Sequence, residues 1–218
     1  MIVHNLSKTN SVLNNFVAEI RDMSIQQDPM RFRRNIERIG EILCYEMSKE
    51  LDYKDLQVKT PLGEKAVPVP VDRLVLCSVL RAGLPLHQGV LNYFDRIENA
   101  FVSAYRHHTS EEVFDIKVEY LACPSLDGKI LLLADPMLAT GSSLIAVHEA
   151  LKSHGNAKQT HLISVIAAEE GIADIKHEFP ENTHLWVATV DPHLNSHGYI
   201  VPGLGDAGDL AFGEKLRS

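Results

Sequence analysis

The sequence is poor in cysteine, in tryptophan and in long apolar runs, and each shortage narrows the field. Its 218 residues hold 3 Cys and 1 Trp. Cys44, Cys77 and Cys123 are odd in number and widely separated. They suggest neither a disulfide framework nor a thiolate metal site, and they fit a reducing compartment. No apolar run approaches the ~20 residues that cross a bilayer, and residues 1–8 lack the hydrophobic segment of a secretory signal. The expectation is a cytoplasmic protein with no membrane partner. Positive charge is also scarce: 21 Lys and Arg face 29 Asp and Glu, for a net charge of −8. Such a chain has no overall attraction for a nucleic-acid polymer. Backbone amides and one or two Arg can still hold a small phosphorylated ligand. Internal repeats, low-complexity tracts and linker-like stretches are missing too, so a single domain over residues 1–218 is expected.

What is present alternates. Val12, Leu13, Phe16, Val17 and Ile20 recur at helical spacing, as do Phe32, Ile36, Ile39 and Leu43. Between the two sets lies Asp28-Pro29, where Pro suits a first helical turn. Residues 60–71 are rich in Pro and Val and predict an edge strand or hairpin. Short apolar runs at 74–80, 130–134, 162–168 and 185–190 read as strands buried on both faces of a parallel sheet. Helical segments at 84–94, 143–154 and 172–177 lie between them. The fold expected is therefore α/β, an open, mostly parallel twisted sheet with helices on both faces. It would divide into an N-terminal helical part (1–58), a sheet core (59–190) and a C-terminal hood (191–218). Ligands of such sheets bind beyond the carboxyl ends of the strands.

Three strand ends carry chemistry. After Leu80 comes Arg81-Ala82-Gly83, where Arg81 would point into the crevice and Gly83 would permit an unusual backbone; taken alone, this tripeptide is better explained as a plain surface Arg before a turn. After Ala134 comes Asp135-Pro136-Met137-Leu138-Ala139-Thr140-Gly141-Ser142-Ser143, leading directly into a helix. The amides of the small residues Ala139 to Ser143 can curl around a phosphate at the helix N-terminus. Asp135 can accept hydrogen bonds from two sugar hydroxyls. Helix capping by Thr140 or Ser142 is the simpler explanation, but it accounts for one hydroxyl only. Near the end, Gly203, Gly205 and Gly208 match the spacing of a dinucleotide fingerprint. That motif needs a further helix, strand and acid downstream, so close backbone approach to a flat ligand is the better reading.

The run 135–141, Asp-Pro-Met-Leu-Ala-Thr-Gly, resembles the phosphoribosyl diphosphate loop of uracil phosphoribosyltransferases. The run 198–209, Gly-Tyr-Ile-Val-Pro-Gly-Leu-Gly-Asp-Ala-Gly-Asp, is similar almost letter for letter to the same family's uracil-binding loop. Tyr105-Arg106, Phe32-Arg33, Tyr45-Glu46 and 167–172 agree, so the likeness covers roughly residues 25 to 213. It implies a type I phosphoribosyltransferase that joins uracil to the ribose phosphate of phosphoribosyl diphosphate, giving UMP and pyrophosphate. It further implies that residues 135–143 and Arg81 bind phosphoribosyl diphosphate. Ile200, Gly205 and Ala207 would meet the base. Asp206 would lie between base and ribose and stabilise an oxocarbenium-like transition state, and Arg106 would reach the diphosphate as the second catalytic group. Mg²⁺ would be held mainly by the substrate, with no dedicated protein metal site. Relatives are dimers or tetramers, so a homodimer or homotetramer is expected, and GTP is a candidate effector. The chain departs from the family pattern at Ser142, where Gly is usual, at Glu169, where Pro is usual, and at Leu210, where a basic residue is usual.

The eleven histidines invite a metal reading, with His193 and His197 four apart and His107-His108 adjacent. No carboxylate or Cys stands at matching spacing, and such sites usually need three or four protein ligands. Residues 107–113 lie between two strand-like runs, as a hairpin tip or as a lid that excludes water; the resemblance implies a lid. Two rivals remain: a nucleotide-sensing regulator that binds RNA, disfavoured by the charge, and a phosphoribosyltransferase for a purine, disfavoured by the base loop.

Overall fold

The computed structural model describes residues 1–108 and 114–216, and for 105–108 and 114–116 the backbone alone. The strands are β1 (Ile2–Asn5), β2 (Tyr53–Thr60), β3 (Gly63–Pro70), β4 (Leu74–Leu80), β5 (Glu98–His108), β6 (Phe114–Ala122), β7 (Ile130–Ala134), β8 (Met137–Leu138), β9 (Gln159–Ala168), β10 (His184–Asp191), β11 (His193–Leu194) and β12 (Ile200–Val201). The helices are α1 (Leu13–Arg21), α2 (Pro29–Ser48), α3 (Gly83–Leu91), α4 (Ser142–Leu151), α5 (Glu169–Ile175) and α6 (Ala207–Phe212).

The central sheet runs in the order β1-β10-β9-β7-β4-β5-β6. All neighbours in it pair parallel except β5 with β6, and short β8 adds parallel pairs to β9. The continuous apolar runs arise because both faces are covered. Leu76, Leu132, Ile163 and Trp186 face a core shared with α1, α2 and α3. Val75, Cys77, Leu131, Leu133, Leu162 and Val187 face a second core shared with α4 and the end of α5. Each fully buried aliphatic side chain contributes roughly 1.5–3 kcal/mol. The long helix α2 begins as the sequence predicts: Asp28 caps it, accepting from the Met30 and Arg31 amides at 3.0 and 3.1 Å, and Pro29 is its first residue.

The N-terminal part is less purely helical than its periodicity implies. It opens with β1, and its expected end at residue 58 falls inside β2. β1 is a four-residue edge strand without a buried residue, and its register is supplied by β10, far away in sequence. The expected edge strand or hairpin at 60–71 is one arm of a hairpin that starts at Tyr53 and turns at Pro61-Leu62. Almost every residue of its two strands is exposed. No helix among the described residues is long and apolar enough to cross a membrane.

The path of the chain through the sheet decides where a ligand fits. From β4 it moves to one side, to β5, and then returns past β4 to β7, β9 and β10 on the other side. The reversal opens a crevice at the carboxyl ends of β4 and β7.

Candidate active site

β4 and β7 pair in parallel register as far as Ser78 and Ala134. The loops that begin at Arg81 and Asp135 therefore leave the sheet side by side. A methyl added to Gly83 would lie 3.3 Å from Ser78 Cβ and 3.4 Å from the Ala134 carbonyl oxygen, so the two loops touch. This corrects the sequence expectation for Gly83. Its φ is not in the left-handed region, and it serves close packing at the start of α3 instead.

The stretch after β7 is pinned to β9. The Asp135 amide donates to the Ile163 carbonyl at 3.1 Å, and Ser164 Oγ donates to the Asp135 carbonyl at 2.7 Å. The Val165 and Ile166 amides both donate to the Pro136 carbonyl at 3.0 Å. Residues 139–141 then turn into α4. Its N-cap is Gly141, at φ +77 with no side-chain cap. Thr140 Oγ1 sits 2.9 Å from Ser142 Oγ and receives the Ser142 amide only at 3.4 Å. Capping thus explains little of this loop. The first amides of α4 have no intrahelical partner, and the helix dipole makes their position favourable for an anion. Ser142 is the first helical residue, so Ser142→Gly should leave affinity for phosphoribosyl diphosphate within about twofold, because the backbone amide remains. A binding titration checks this; a large loss would show that the hydroxyl, and not the amide, holds the ligand.

Asp135 stands at the crevice with its carboxyl buried. Burial of its carboxyl raises its pKa to about 6, opposed by the hydrogen bond from the Met137 amide. It is the titrating group of this loop.

The hood consists of the β11–β12 hairpin, the loop 202–206 and α6. Asp206 is the N-cap of α6: its Oδ1 accepts from the Gly208 and Asp209 amides at 2.9 and 3.0 Å. Its Oδ2 lies 3.4 Å from Lys215 Nζ. Ile200 and Ala207 are only 4% and 3% exposed and pack into the core. Only their backbone groups are free for the base contact expected of them, whereas Gly205 is exposed. Three arginines hold the hood down. Arg33 donates to the Ala211 carbonyl at 2.6 Å and lies over the Phe212 ring. Arg81 donates to Asp209 Oδ1 at 3.3 Å and to the Gly213 carbonyl at 3.2 Å, joining the first strand end to the hood. Arg21 forms a bidentate pair with Asp191, at 2.7 and 2.8 Å, and also reaches Gly203.

Two departures from the family pattern have simple local settings. Glu169 is the first residue of α5, a position that suits an acid as well as a Pro. Leu210 packs against the core beneath α6. The dinucleotide spacing at 203–208 leads into a helix of only six residues and follows no strand of the central sheet.

Some calls fall elsewhere. The Arg106 side chain and residues 109–113 of the expected lid lie outside the described residues. Among the described residues, no three or more His, Cys, Asp or Glu gather as a metal site. His4, His161 and His184 do cluster with Trp186, but around the amino-terminal halves of β9 and β10, away from the crevice. Burial lowers His161 to about 4. A cavity of about 230 Å³ lies between α1 and β10, lined by Ser7, Asn14, Val17 and Thr189 among others; its lining holds no charged side chain. Arg21 and Asp191 escaped the sequence reading because they meet each other across 170 residues of sequence.

A family model described as uracil phosphoribosyltransferase matches residues 7–214. The chain is 53% identical over 216 residues to a uracil phosphoribosyltransferase of Porphyromonas gingivalis, covering 99% of this chain and 100% of the relative. The solved AQ2163 protein of Aquifex aeolicus superposes with a TM-score of 0.85 at 30% identity, over 99% of this chain and 100% of that one. A hypoxanthine phosphoribosyltransferase of Staphylococcus aureus, at 15% identity and a TM-score of 0.51 over 85% of this chain and 84% of that one, shares the fold alone. With the match spanning both the loop after β7 and the hood, the chain belongs to the uracil phosphoribosyltransferase family.

Proposed function

We propose that the protein transfers the 5-phosphoribosyl group of phosphoribosyl diphosphate to uracil, releasing pyrophosphate and forming UMP. The observation that carries this reading is the meeting, at the β4–β7 switch point, of an uncapped helix N-terminus preceded by an acid with a hood anchored from three sides. The amides of 139–143 hold the 5′-phosphate, and Asp135 accepts from the ribose hydroxyls. Residues 136–138 hold that loop to β9. Arg81 and Arg106 are the residues we assign to the diphosphate. The backbone at Ile200, Gly205 and Ala207 matches the uracil edge, where a mismatched base would leave buried polar groups unpaired. Asp206 stabilises the positive charge that develops on the ribose. Much of the acceleration comes from fixing two reactants in one geometry.

Mg²⁺ suits this arrangement, because it keeps several waters and binds through one or two carboxylates plus substrate phosphates. Asp135 is the carboxylate at hand, and the ion would supply charge against the leaving diphosphate. We read residues 1–218 as one catalytic unit in which the N-terminal helices support the hood. The exposed hairpin β2–β3 presents Tyr53, Leu56, Leu62 and Val67. An isolated two-stranded ribbon is marginal in water, so it suits a homodimer or homotetramer. The buried thiols of Cys44 and Cys77, both raised by burial, suit a cytoplasmic location.

The decisive test is pyrophosphate release from phosphoribosyl diphosphate with uracil, cytosine, hypoxanthine and adenine in turn. Uracil alone should support turnover. Turnover with a purine would move the assignment to the purine enzymes. No turnover with any base, together with an RNA gel shift at moderate salt, would favour the regulator.

Acidity should affect the first substrate. If the Asp135 carboxylate is the form that accepts from the ribose, ligand binding favours ionisation, so affinity falls as pH drops through about 6. Stability runs the other way. The folded pKa is raised, so the folded chain binds more protons than the unfolded chain between about 4 and 6, and stability declines as pH rises through that window. The KM for phosphoribosyl diphosphate should climb below pH 6 in the wild type. In Asp135→Asn it should be higher throughout and depend less steeply on pH, the slope that remains being the substrate phosphate's own titration at about 6; an unchanged slope would clear Asp135 of this role.

A further inference from the structure

The Gly203 peptide at the base of the hood is gripped on both sides. Its N–H donates to Asp191 Oδ2 at 2.9 Å, and its carbonyl accepts from Arg21 Nη1 at 3.0 Å. The same Arg21 and Asp191 are joined to each other by two hydrogen bonds, at 2.7 and 2.8 Å. Three groups thus close a ring of four hydrogen bonds around the backbone N–H and C=O of one residue, gripping the two successive peptide units that meet at Gly203. The side chains of Asp191 and Arg21 are 7% and 21% exposed, so this ring is shielded from water. Each member comes from a different element. Arg21 is the last residue of α1, Asp191 the last residue of β10, and Gly203 follows the β11–β12 hairpin. Gly203 leaves no room for a side chain: its φ is +63, and a Cβ there would lie 2.1 Å from the Ile200 carbonyl oxygen.

The position of this ring gives it a consequence for chemistry. Asp191 enters the hairpin and Gly203 leaves it, so the ring fixes both feet of the hairpin and the origin of the loop 203–206. Base recognition by backbone groups depends on those groups being held within a few tenths of an ångström. A buried, fully satisfied polar network can hold a backbone that rigidly, whereas a half-satisfied one cannot. We propose that Arg21 and Asp191 are positioning residues for base recognition, acting through the Gly203 peptide to set uracil affinity and the discrimination of uracil from cytosine. The proposal rests on the reading of 200–207 as the base loop. Both residues lie outside the base loop and outside the loops at Arg81 and Asp135.

The test uses Arg21→Lys and Asp191→Asn in the full chain. Lysine keeps the charge but presents a point ammonium in place of the planar fork, so it cannot hold the Asp191 pair and the Gly203 carbonyl in the same geometry. Asparagine keeps an acceptor for Gly203 but loses the ion pair. In both variants the KM for uracil should rise about tenfold or more, and the ratio of kcat/KM for uracil over cytosine should fall, from the loss of positioning. The KM for phosphoribosyl diphosphate should stay within about twofold, since the loop after β7 is untouched. A role in general stability alone would move both KM values together, or neither while Tm falls; either result overturns the proposal. Gly205→Ala, which alters the exposed loop directly, is measured beside them. If it changes uracil KM while both clamp variants do not, the clamp proposal fails and the base-loop reading stands. If none of the three changes uracil KM, the base-loop reading fails with it. Should either variant fail to fold at working temperature, the other carries the comparison.

Discussion

Asp206→Asn should lower kcat about a hundredfold or more, on the scale seen when a group facing developing transition-state charge is removed, while leaving the melting temperature almost unchanged. The second half of that expectation comes from the cap. Asp206 Oδ1 receives the Gly208 and Asp209 amides at the start of α6. Asparagine is as good an N-cap as aspartate, so the helix keeps its first hydrogen bonds. What disappears is the negative charge. Asp206→Ala is the informative companion: it removes charge and cap together, adding about 0.5–2 kcal/mol of destabilisation. Thermal melting and steady-state kinetics on the pair separate the two roles. If Asp206→Asn turns uracil over at the wild-type rate, Asp206 has no part in the chemistry and serves α6 alone.

Gly141→Val should fail more completely, and at the level of folding. Gly141 has φ +77, where a β-branched residue is strained. A Cβ at that position would also lie 2.0 Å from Ile175 Cγ2 at the end of α5. The floor of the loop is a buried aliphatic side chain that leaves no room for any side chain. Expression and melting of the apo protein are therefore the correct readout, and both should collapse. Thr140→Ala is milder and tests the ligand: its hydroxyl is 2.9 Å from Ser142 Oγ and caps nothing strongly. It should lose about 1–3 kcal/mol of phosphoribosyl diphosphate affinity if a charge-assisted hydrogen bond is lost. A well-folded Gly141→Val protein would show that the loop can swing away from α5. Unchanged affinity in Thr140→Ala would remove the hydroxyl from the phosphate site.

The sequence reveals most where a pattern is local and continuous. Residues 74–80 and 130–134 are strands over their whole predicted lengths, because burial on both faces leaves no alternation to blur the run. The Asp28-Pro29 signal marks the start of α2 to the residue, since a cap and an N1 proline act within one turn. The strand ends carrying Arg81 and Asp135 are legible for the same reason, being simply where the apolar runs stop. What stays hidden is contact between distant segments. β1 has four residues, none buried, and becomes a strand only because β10 offers it an edge. Arg21 ends an ordinary amphipathic helix, and nothing nearby in sequence announces that it will meet Asp191. Gly83 misleads in the other direction: a glycine after a strand suggests a bend, yet its value lies in letting α3 approach the Ala134 carbonyl. Asp206 was identifiable as a functional acid through its motif, but its second role as a cap needed the helix that follows.

The pairing of β1 with β10 and the reach of Arg21 to Gly203 also order events during synthesis. Residues 2–5 and 21 emerge long before 184–191 and 203. For most of translation the first strand has no neighbour and the first helix has no acid to bind. Contacts of such long range slow folding, because the closure entropy comes due before the contact forms. The half built from β4 to β9 can collapse early, whereas the hood must wait for the last fifteen residues or so of the described chain, on the scale of seconds at ordinary elongation rates. A ribosome-stalled chain ending before residue 184 would therefore be expected to acquire a protected sheet centre while its first twenty residues remain open to protease.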